Sequence, residues 1–255
     1  MNSSLVTKKE FFFNLLRLEN STQYSTSRLR FWFDHIRNNA LNDDGDIFEF
    51  GVYQGASLIS AALFLKEVGS NKKIYGFDSF TGFPGYSEYD DLNCFHKYLG
   101  KYFDQEIVDD FEILKEIKSK YLKQNIINKK NISSAGAFDE TSIEFVNKRI
   151  ELFELDNIEI IEGSFENSVP DFFSKFNGKI SSVNIDCDLY DGYRIVLPLV
   201  WDSLSQGGYV HLDEYYSLKF PGARIATMEF CEKMKITPKK NLSRPGEFER
   251  WYLSK

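Results

Sequence analysis

Short apolar runs alternate with longer segments of helical apolar spacing over most of the chain, and this alternation predicts an α/β domain. The predicted strands begin at residues 47, 73, 158, 180 and 207. Because a helical segment separates each strand from the next, these strands should run parallel. An aromatic stretch at 248–253 follows a Pro-Gly turn and predicts an antiparallel hairpin at the edge of the sheet.

Two segments stand outside this alternation. Residues 1–44 predict two helices that pack on the sheet, cover the active site or form a dimer contact. Residues 80–138 separate a strand from the next helix, which is predicted at 139–155, and they contain a charged amphipathic helix at 103–121. Insertions of this length are usually functional, so we expect a lid over the ligand crevice. Since no repeat or long linker is present, we predict that residues 1–255 form one domain.

Acidic side chains end two of the predicted strands. Asp186 and Asp188 close one strand, and Asp213 and Glu214 close the next. The carboxyl ends of parallel strands meet at the ligand crevice of an open α/β sheet. Up to four carboxylates would therefore lie close together, and they would repel one another unless something positive lies between them. We expect a divalent metal, a cationic cofactor or both at this edge of the sheet.

The first strand leads through a glycine turn into a helix. Glu49 stands before the turn Gly51–Gly55, and the second strand ends on Asp78, where a ribose diol is normally held. The Gly-x-Gly-x-x-Gly and P-loop patterns are missing, and Glu49 would repel a phosphate. S-adenosylmethionine suits this turn because it has a ribose, an ammonium and a sulfonium but no phosphate. The loop at Ser164-Phe165 is placed to meet its adenine.

The composition of the chain says more about its binding partners than about its fold. The chain has 255 residues, of which 42% are hydrophobic, and a formal net charge of −7. This charge argues against nucleic acid and anionic membranes as partners. Three cysteines without Cys-x-x-Cys spacing indicate reduced thiols. No apolar run reaches the roughly 20 residues that span a bilayer, and no signal peptide is evident, so we expect a cytoplasmic protein.

Several segments together resemble one known family. They are Glu49–Gly55, Gly76–Pro84, Glu162–Phe165, Ile185–Tyr190, Gly207–Tyr215 and Pro221–Ala226. These segments resemble the macrocin O-methyltransferase family, which methylates sugars of glycosides. The resemblance implies a class I methyltransferase fold, a Rossmann-like sheet of six parallel strands and one antiparallel strand. It also implies S-adenosylmethionine, Mg²⁺ and a sugar hydroxyl as acceptor, and it raises the expectation of a homodimer.

The resemblance assigns roles to particular residues. Asp186, Asp213 and Glu214 take the positions of metal ligands, and Asp188 takes the position of the catalytic base. Glu214 departs from the family, which usually has a second Asp there. The Glu carboxylate still offers oxygen to a hard cation, although its extra methylene shifts it. The predicted cofactor-binding residues are Glu49, Gly51, Tyr53, Gly55, Ser57, Asp78, Ser79, Gly163, Ser164, Phe165 and Asp186.

Other functions remain open on the same sheet. One variant within the class is an O-methyltransferase with a phenolic acceptor. An NAD-dependent oxidoreductase is disfavoured by the missing Gly-x-Gly-x-x-Gly pattern. A non-catalytic module that binds a partner through residues 80–138 would explain the departure at Glu214.

Overall fold

A seven-stranded sheet organises the computed structural model, which describes residues 28–41, 45–133, 136–242 and 249–255. The strands are β1 (Asp46–Phe50), β2 (Ile74–Asp78), β3 (Ile158–Glu162), β4 (Ile180–Ile185), β5 (Leu204–Leu212), β6 (Lys239–Lys240) and β7 (Trp251–Ser254). Their order is β3-β2-β1-β4-β5-β7-β6. Strands β1 to β5 are parallel, and β7 pairs antiparallel with both β5 and β6. Six strands therefore run one way and one runs the other, which confirms the predicted sheet.

Helices cover both faces of the sheet. They are α1 (Arg30–Asn39), α2 (Ala56–Glu67), α3 (Cys94–Lys97), α4 (Gln105–Tyr121), α5 (Ile143–Leu152), α6 (Phe165–Phe173), α7 (Tyr190–Ser203) and α8 (Pro221–Met234). Side chains that alternate along a strand point to opposite faces. Ile47 and Ile74 accordingly join the apolar cluster with α1, α2 and α5, whereas Phe48 and Phe77 join the cluster with α6, α7 and α8.

The two acidic strand ends are neighbours, as the sequence predicts. Ile185, the last residue of β4, pairs in register with Leu212, the last residue of β5. The backbone N–H of Asp213 donates a hydrogen bond to the carbonyl oxygen of Ile185 at 3.1 Å. Asp186 and Asp213 therefore leave the sheet at the same level and on adjacent strands.

The insertion at 80–138 shares the core of the domain. Phe111 of α4 is buried in the same apolar cluster as α7 and α8. Asp90, in a short 3-10 helix, accepts a hydrogen bond from the backbone N–H of Tyr190 at 2.9 Å, and so caps α7. Tyr89 stacks on Tyr190 with ring centroids 4.3 Å apart. The insertion thus supports the helix that follows the acidic end of β4, and its action as a lid stays a prediction.

Helix α5 begins later than the sequence predicts. It starts at Ile143 and is capped by Ser142, whereas the predicted start was residue 139. The residues before Ser142 do not join the helix. The hydroxyl of Thr141 instead donates a hydrogen bond to the carbonyl oxygen of Tyr53 in the glycine turn. Contact with the turn therefore decides this boundary, and apolar spacing alone does not show it.

The N-terminal prediction is covered in part. Residues 1–27, which include the first predicted helix, lie outside the described residues. The second predicted helix is α1, which buries Trp32 and Ile36 and packs against β4 and β5. In the described ranges, no helix has both the length and the apolar character needed to cross a bilayer.

Candidate functional site

Three carboxylates converge where β4 and β5 end. One oxygen each from Asp186, Asp188 and Glu214 lies within 4.8 Å of the other two. The hydroxyl of Tyr193, on α7, lies 2.8 Å from the carbonyl oxygen of Ile185 and 3.2 Å from Oε2 of Glu214. It also accepts a hydrogen bond from the backbone N–H of Glu214 at 3.2 Å. Helix α7 therefore fixes the Glu214 end of the cluster.

Asp188 sits in a strained turn between β4 and α7. Its φ is +60°, a left-handed conformation that few residues other than glycine adopt. The backbone N–H of Leu189 donates to the carbonyl oxygen of Cys187 at 2.6 Å, and α7 begins at the next residue. Backbone strain of this kind recurs at functional sites. The turn holds Asp188, a residue only 7% exposed, beside Asp186.

Burial and mutual repulsion oppose ionisation of this cluster. Burial first, and the neighbouring carboxylates second, raise the pKa of Asp188 and of Glu214 well above their ordinary values. Burial also raises the pKa of Asp186 to about 6, against the charge of Arg28, which lowers it. A cation among these groups would restore their ionised forms. Three carboxylates are hard oxygen donors of the kind that bind Mg²⁺, so the residues fit a divalent cation.

Asp213 forms an ion pair with Arg28, and its predicted role as a metal ligand stays a prediction. Arg28 donates from Nη2 to Oδ2 of Asp186 at 2.6 Å, and its Nη1 lies 2.5 Å from Oδ2 of Asp213. Oδ1 of Asp213 faces Nε2 of the buried His211 at 3.7 Å. Although burial raises it, the pKa of Asp213 lies well below its usual range because Arg28 stabilises the charged form. Of the predicted ligands, Asp186 and Glu214 therefore lie in the three-carboxylate cluster, whereas Asp213 is paired with Arg28.

The glycine turn after β1 lies directly against the end of β4. A Cβ on Gly51 would lie 1.9 Å from the carbonyl oxygen of Asp186, and the φ of Gly51 is +95°. Gly55 also has positive φ, +78°, and precedes the first residue of α2. Only glycine permits the approach at Gly51, and both backbone angles favour glycine. The turn thus brings the predicted cofactor segment into contact with the acidic cluster.

Glu49 is the most deeply buried acid of this region. Its Oε1 accepts hydrogen bonds from the hydroxyl of Ser57 at 2.6 Å and from the amide of Asn184 at 2.8 Å. Its Oε2 is buried and has no hydrogen-bond partner among the described residues. Burial raises the pKa of Glu49 to about 8, although both hydrogen bonds lower it. A buried acid with one oxygen unpaired fits a site for a cationic group, as the sequence predicts.

Asp78 has a role that the sequence does not indicate. Its Oδ2 accepts hydrogen bonds from the backbone N–H groups of Val52 and Tyr53, both at 2.8 Å, and its Oδ1 accepts one from Phe80 at 2.8 Å. Asp78 therefore fastens the glycine turn to the end of β2. Contact with a ribose remains a prediction for this residue.

The remaining predicted cofactor residues follow the carboxyl ends of β2 and β3. Ser79 donates a hydrogen bond to the carbonyl oxygen of Gly82 at 3.2 Å. Gly163 has a φ of +140° and leads into Ser164, the N-cap of α6. The ring of Phe165 packs edge-on against Phe50, with centroids 6.1 Å apart. These segments follow β2 and β3, so they lie at the same end of the sheet as the acidic cluster.

Other side chains that could take part in chemistry are held by contacts within the protein. Arg224 donates from Nε to the carbonyl oxygen of Tyr102 at 2.7 Å and lies 4.6 Å from the ring centroid of Tyr215. It therefore neither pairs with the acidic cluster nor is free to orient a substrate. Burial lowers the pKa of His211. Arg28 is the residue of this site that the sequence does not indicate, because no motif surrounds it.

Residues 48–215 match a family model described as a methyltransferase domain. No curated protein matches the sequence. The matched stretch covers more than half of the chain and contains the glycine turn and both acidic strand ends.

Solved structures share the fold across nearly the whole chain. The crystal structure of CalS11, a calicheamicin methyltransferase, is 19% identical with a TM-score of 0.61, covering 98% of this chain and 91% of that chain. The O-methyltransferase NovP is 17% identical with a TM-score of 0.61, covering 99% and 97%. The apo structure of CalS11, described as a TDP-rhamnose 3'-O-methyltransferase, is 19% identical with a TM-score of 0.54, covering 98% and 93%. At these identities the likeness concerns the fold.

Gly51→Ala should destabilise the protein much more than Gly69→Ala. Both glycines have positive φ, +95° and +70°, but a Cβ meets the Asp186 backbone at Gly51 and nothing within 4 Å at Gly69. Left-handed strain of about 1–2 kcal/mol is common to both substitutions. Urea unfolding should show a further loss of at least about 2 kcal/mol for Gly51→Ala. Equal losses would mean that the ends of β1 and β4 separate easily.

The wild type should lose stability as pH rises because Glu49 ionises, and Glu49→Gln should lack this loss. The pKa of about 8 in the folded state exceeds the ordinary 4.5, so the folded state binds the proton more tightly. The stabilisation is fully present below about pH 4.5 and is lost as pH rises to about 8. Between about pH 5 and about pH 8, the free energy of unfolding should fall by about 3 kcal/mol more in the wild type than in Glu49→Gln.

The matched control for this measurement is Glu140→Gln, which alters an exposed glutamate beside the glycine turn. It should keep the wild-type dependence of stability on pH. If Glu49→Gln keeps that dependence too, Glu49 does not hold a proton in the folded protein.

Proposed function

Since the chain belongs to this methyltransferase domain family, we propose that it is an S-adenosylmethionine-dependent O-methyltransferase that methylates a hydroxyl of a sugar or glycosylated small molecule. The observation that carries the proposal is the cluster of Asp186, Asp188 and Glu214 beside the glycine turn. It puts a candidate base and candidate cation ligands next to a candidate cofactor pocket.

The chemistry of the turn supports S-adenosylmethionine as the cofactor. This cofactor supplies a methyl group on a positively charged sulfur. Glu49 and Asp186 place two acids beside the turn, and Oε2 of Glu49 has no protein partner in the described ranges. A phosphate-bearing cofactor would meet these acids unfavourably, whereas an ammonium or sulfonium would be stabilised by them.

Asp188 is the residue that we assign as the base. No side chain in the described ranges donates a hydrogen bond to it, and burial raises its pKa above the ordinary value. A cation at the cluster would restore the ionised form of Asp188, and a carboxylate whose environment raises its pKa then accepts a proton readily. The strained turn aims this group beside Asp186, where an acceptor hydroxyl would lie next to the methyl donor.

Metal assistance is part of the proposal. Mg²⁺ would be held by Asp186, Asp213 and Glu214, and such an ion lowers the pKa of a hydroxyl that contacts it. Asp186 and Glu214 already belong to the cluster, and Asp213 lies beside them. The hydroxyl of Tyr193 stabilises the position of the Glu214 carboxylate. The macrocin O-methyltransferase family usually has the shorter Asp at this position.

The support for a sugar acceptor is similarity of fold to a sugar methyltransferase. CalS11 is described as acting on TDP-rhamnose, and it shares the fold at a TM-score of 0.54. In this chain the insertion reaches the helix that follows Asp188, because Asp90 accepts a hydrogen bond from the backbone N–H of Tyr190 at 2.9 Å. We propose that the insertion contacts the acceptor.

An oxidoreductase with NAD is the alternative from another class. The chain contains one Tyr-x-x-x-Lys spacing, Tyr215 and Lys219, which such enzymes use for proton transfer. Tyr215 is 4% exposed, and its hydroxyl contacts the sulfur of Met228 at 3.1 Å. This tyrosine is therefore a core residue, which removes the feature that would favour the alternative.

Calorimetry with S-adenosylmethionine, S-adenosylhomocysteine and NAD tests the cofactor. We expect the first two to bind, because their ribose and amino groups suit the turn, and we expect no heat from NAD. Binding of NAD without S-adenosylmethionine would overturn the proposal. Pools of glycosides and phenols with a labelled methyl donor then identify the acceptor class.

Asp188→Asn should lower kcat by about 10²–10⁴-fold, because the amide cannot accept the proton. Affinity for S-adenosylmethionine should stay at the wild-type value, since the glycine turn is unchanged. Asp191→Asn is the control, because Asp191 is exposed on α7 and pairs with Arg194. Full turnover in Asp188→Asn would show that another group takes the proton.

A further inference from the structure

Arg28 bridges the ends of two strands by a forked contact. Its two terminal nitrogens reach different carboxylates, Asp186 after β4 at 2.6 Å and Asp213 after β5 at 2.5 Å. The Arg28 side chain is 47% exposed, whereas those of Asp186 and Asp213 are 15% and 10% exposed. The Arg28 side chain is therefore the most exposed of the three, although its guanidinium contacts both acids.

The position of Arg28 follows from the packing of α1. Trp32 and Ile36 bury one face of α1 against β4 and β5. His35 stacks on Tyr209 of β5, with ring centroids 5.1 Å apart. The carbonyl oxygen of Arg28 also accepts a hydrogen bond from Nε of Arg250 at 3.1 Å. The backbone carbonyl of Arg28 is thus held by Arg250, while its long side chain extends to Asp186 and Asp213.

One acid is shared between Arg28 and the candidate cation site. Asp186 binds Arg28 and also belongs to the cluster with Asp188 and Glu214. A guanidinium on Asp186 repels a second cation at the same carboxylate, and this repulsion is strong where the groups are little exposed. Arg28 and a divalent cation therefore oppose each other at Asp186.

We propose that Arg28 is a latch that competes with a divalent cation for the acidic strand ends. In the latched arrangement Arg28 balances the charges of Asp186 and Asp213. Entry of the cation releases the guanidinium into solvent, which the partial exposure of the Arg28 side chain permits. This inference concerns binding of a metal by the protein alone, so it does not depend on the methyl donor or the acceptor.

The latch accounts for the difference between the predicted and the observed groups of acids. Asp213 is tied to Arg28 and Asp188 stands in the cluster. Release of Arg28 frees an oxygen of Asp213 for the cation and leaves Asp188 available as a base. Arg28 is accordingly a positioning residue, because it acts through Asp186 and Asp213.

Calorimetric titration with Mn²⁺ alone, with no cofactor or acceptor, tests the competition. Arg28→Gln should bind Mn²⁺ at least about ten-fold more tightly than the wild type. Arg28→Lys, which keeps the charge but cannot fork across two carboxylates, should lie between them. Arg37→Gln is the matched control, because Arg37 pairs only with Asp34 on the exposed side of α1 in the described residues and should change nothing.

Equal or weaker Mn²⁺ binding by Arg28→Gln, or no binding by either protein, would overturn the proposal. Limited trypsin digestion of the wild type gives a second measurement that needs no variant. Mn²⁺ should speed cleavage after Arg28 several-fold but leave cleavage after Arg37 unchanged. An unchanged rate after Arg28 contradicts a latch, whatever the calorimetry shows. Failure of this test leaves the methyltransferase proposal standing, since calorimetry with S-adenosylmethionine measures that separately.

Discussion

Repulsion among carboxylates at two neighbouring strand ends is the constraint on which the rest of the site depends. Two unit charges 4 Å apart in a partly buried region interact by about 4 kcal/mol. The protein reduces this cost in more than one way. Burial favours the neutral forms of Asp188 and Glu214, and Arg28 neutralises Asp213. The Tyr193 hydroxyl holds Glu214 on one side.

The backbone gives these acids little room to separate. The paired ends of β4 and β5 fix Asp186 and Asp213 side by side, and Gly51 lies against the Asp186 backbone. Asp90 of the insertion holds the start of α7, which bounds the turn of Asp188. Because the framework is fixed, the charge of this site changes chiefly through protonation of its carboxylates. Groups with pKa values shifted in this way are common at functional sites.

Local patterns were sufficient for much of this architecture. Strands alternating with helices predicted the parallel sheet, and the two acidic strand ends predicted a cluster, because neighbouring parallel strands end at the same edge. Contacts between distant segments could not be predicted in this way. Arg28 reaches Asp186 across 158 positions, and Asp90 reaches Tyr190 across 100 positions. No periodicity records such pairs, since each depends on how whole layers pack.

Glu214 shows how a local departure is accommodated by its surroundings. A Glu is one methylene longer than Asp, so its carboxylate reaches further from the strand end. Tyr193 contacts both this carboxylate and the Ile185 carbonyl oxygen, so the longer side chain ends at a fixed point beside Asp186 and Asp188. The oxygen donors of the cluster are therefore preserved although the residue type differs. What the departure alters is the reach of the carboxylate, and the pairing of Asp213 with Arg28 leaves Asp186, Asp188 and Glu214 as the three acids of the cluster.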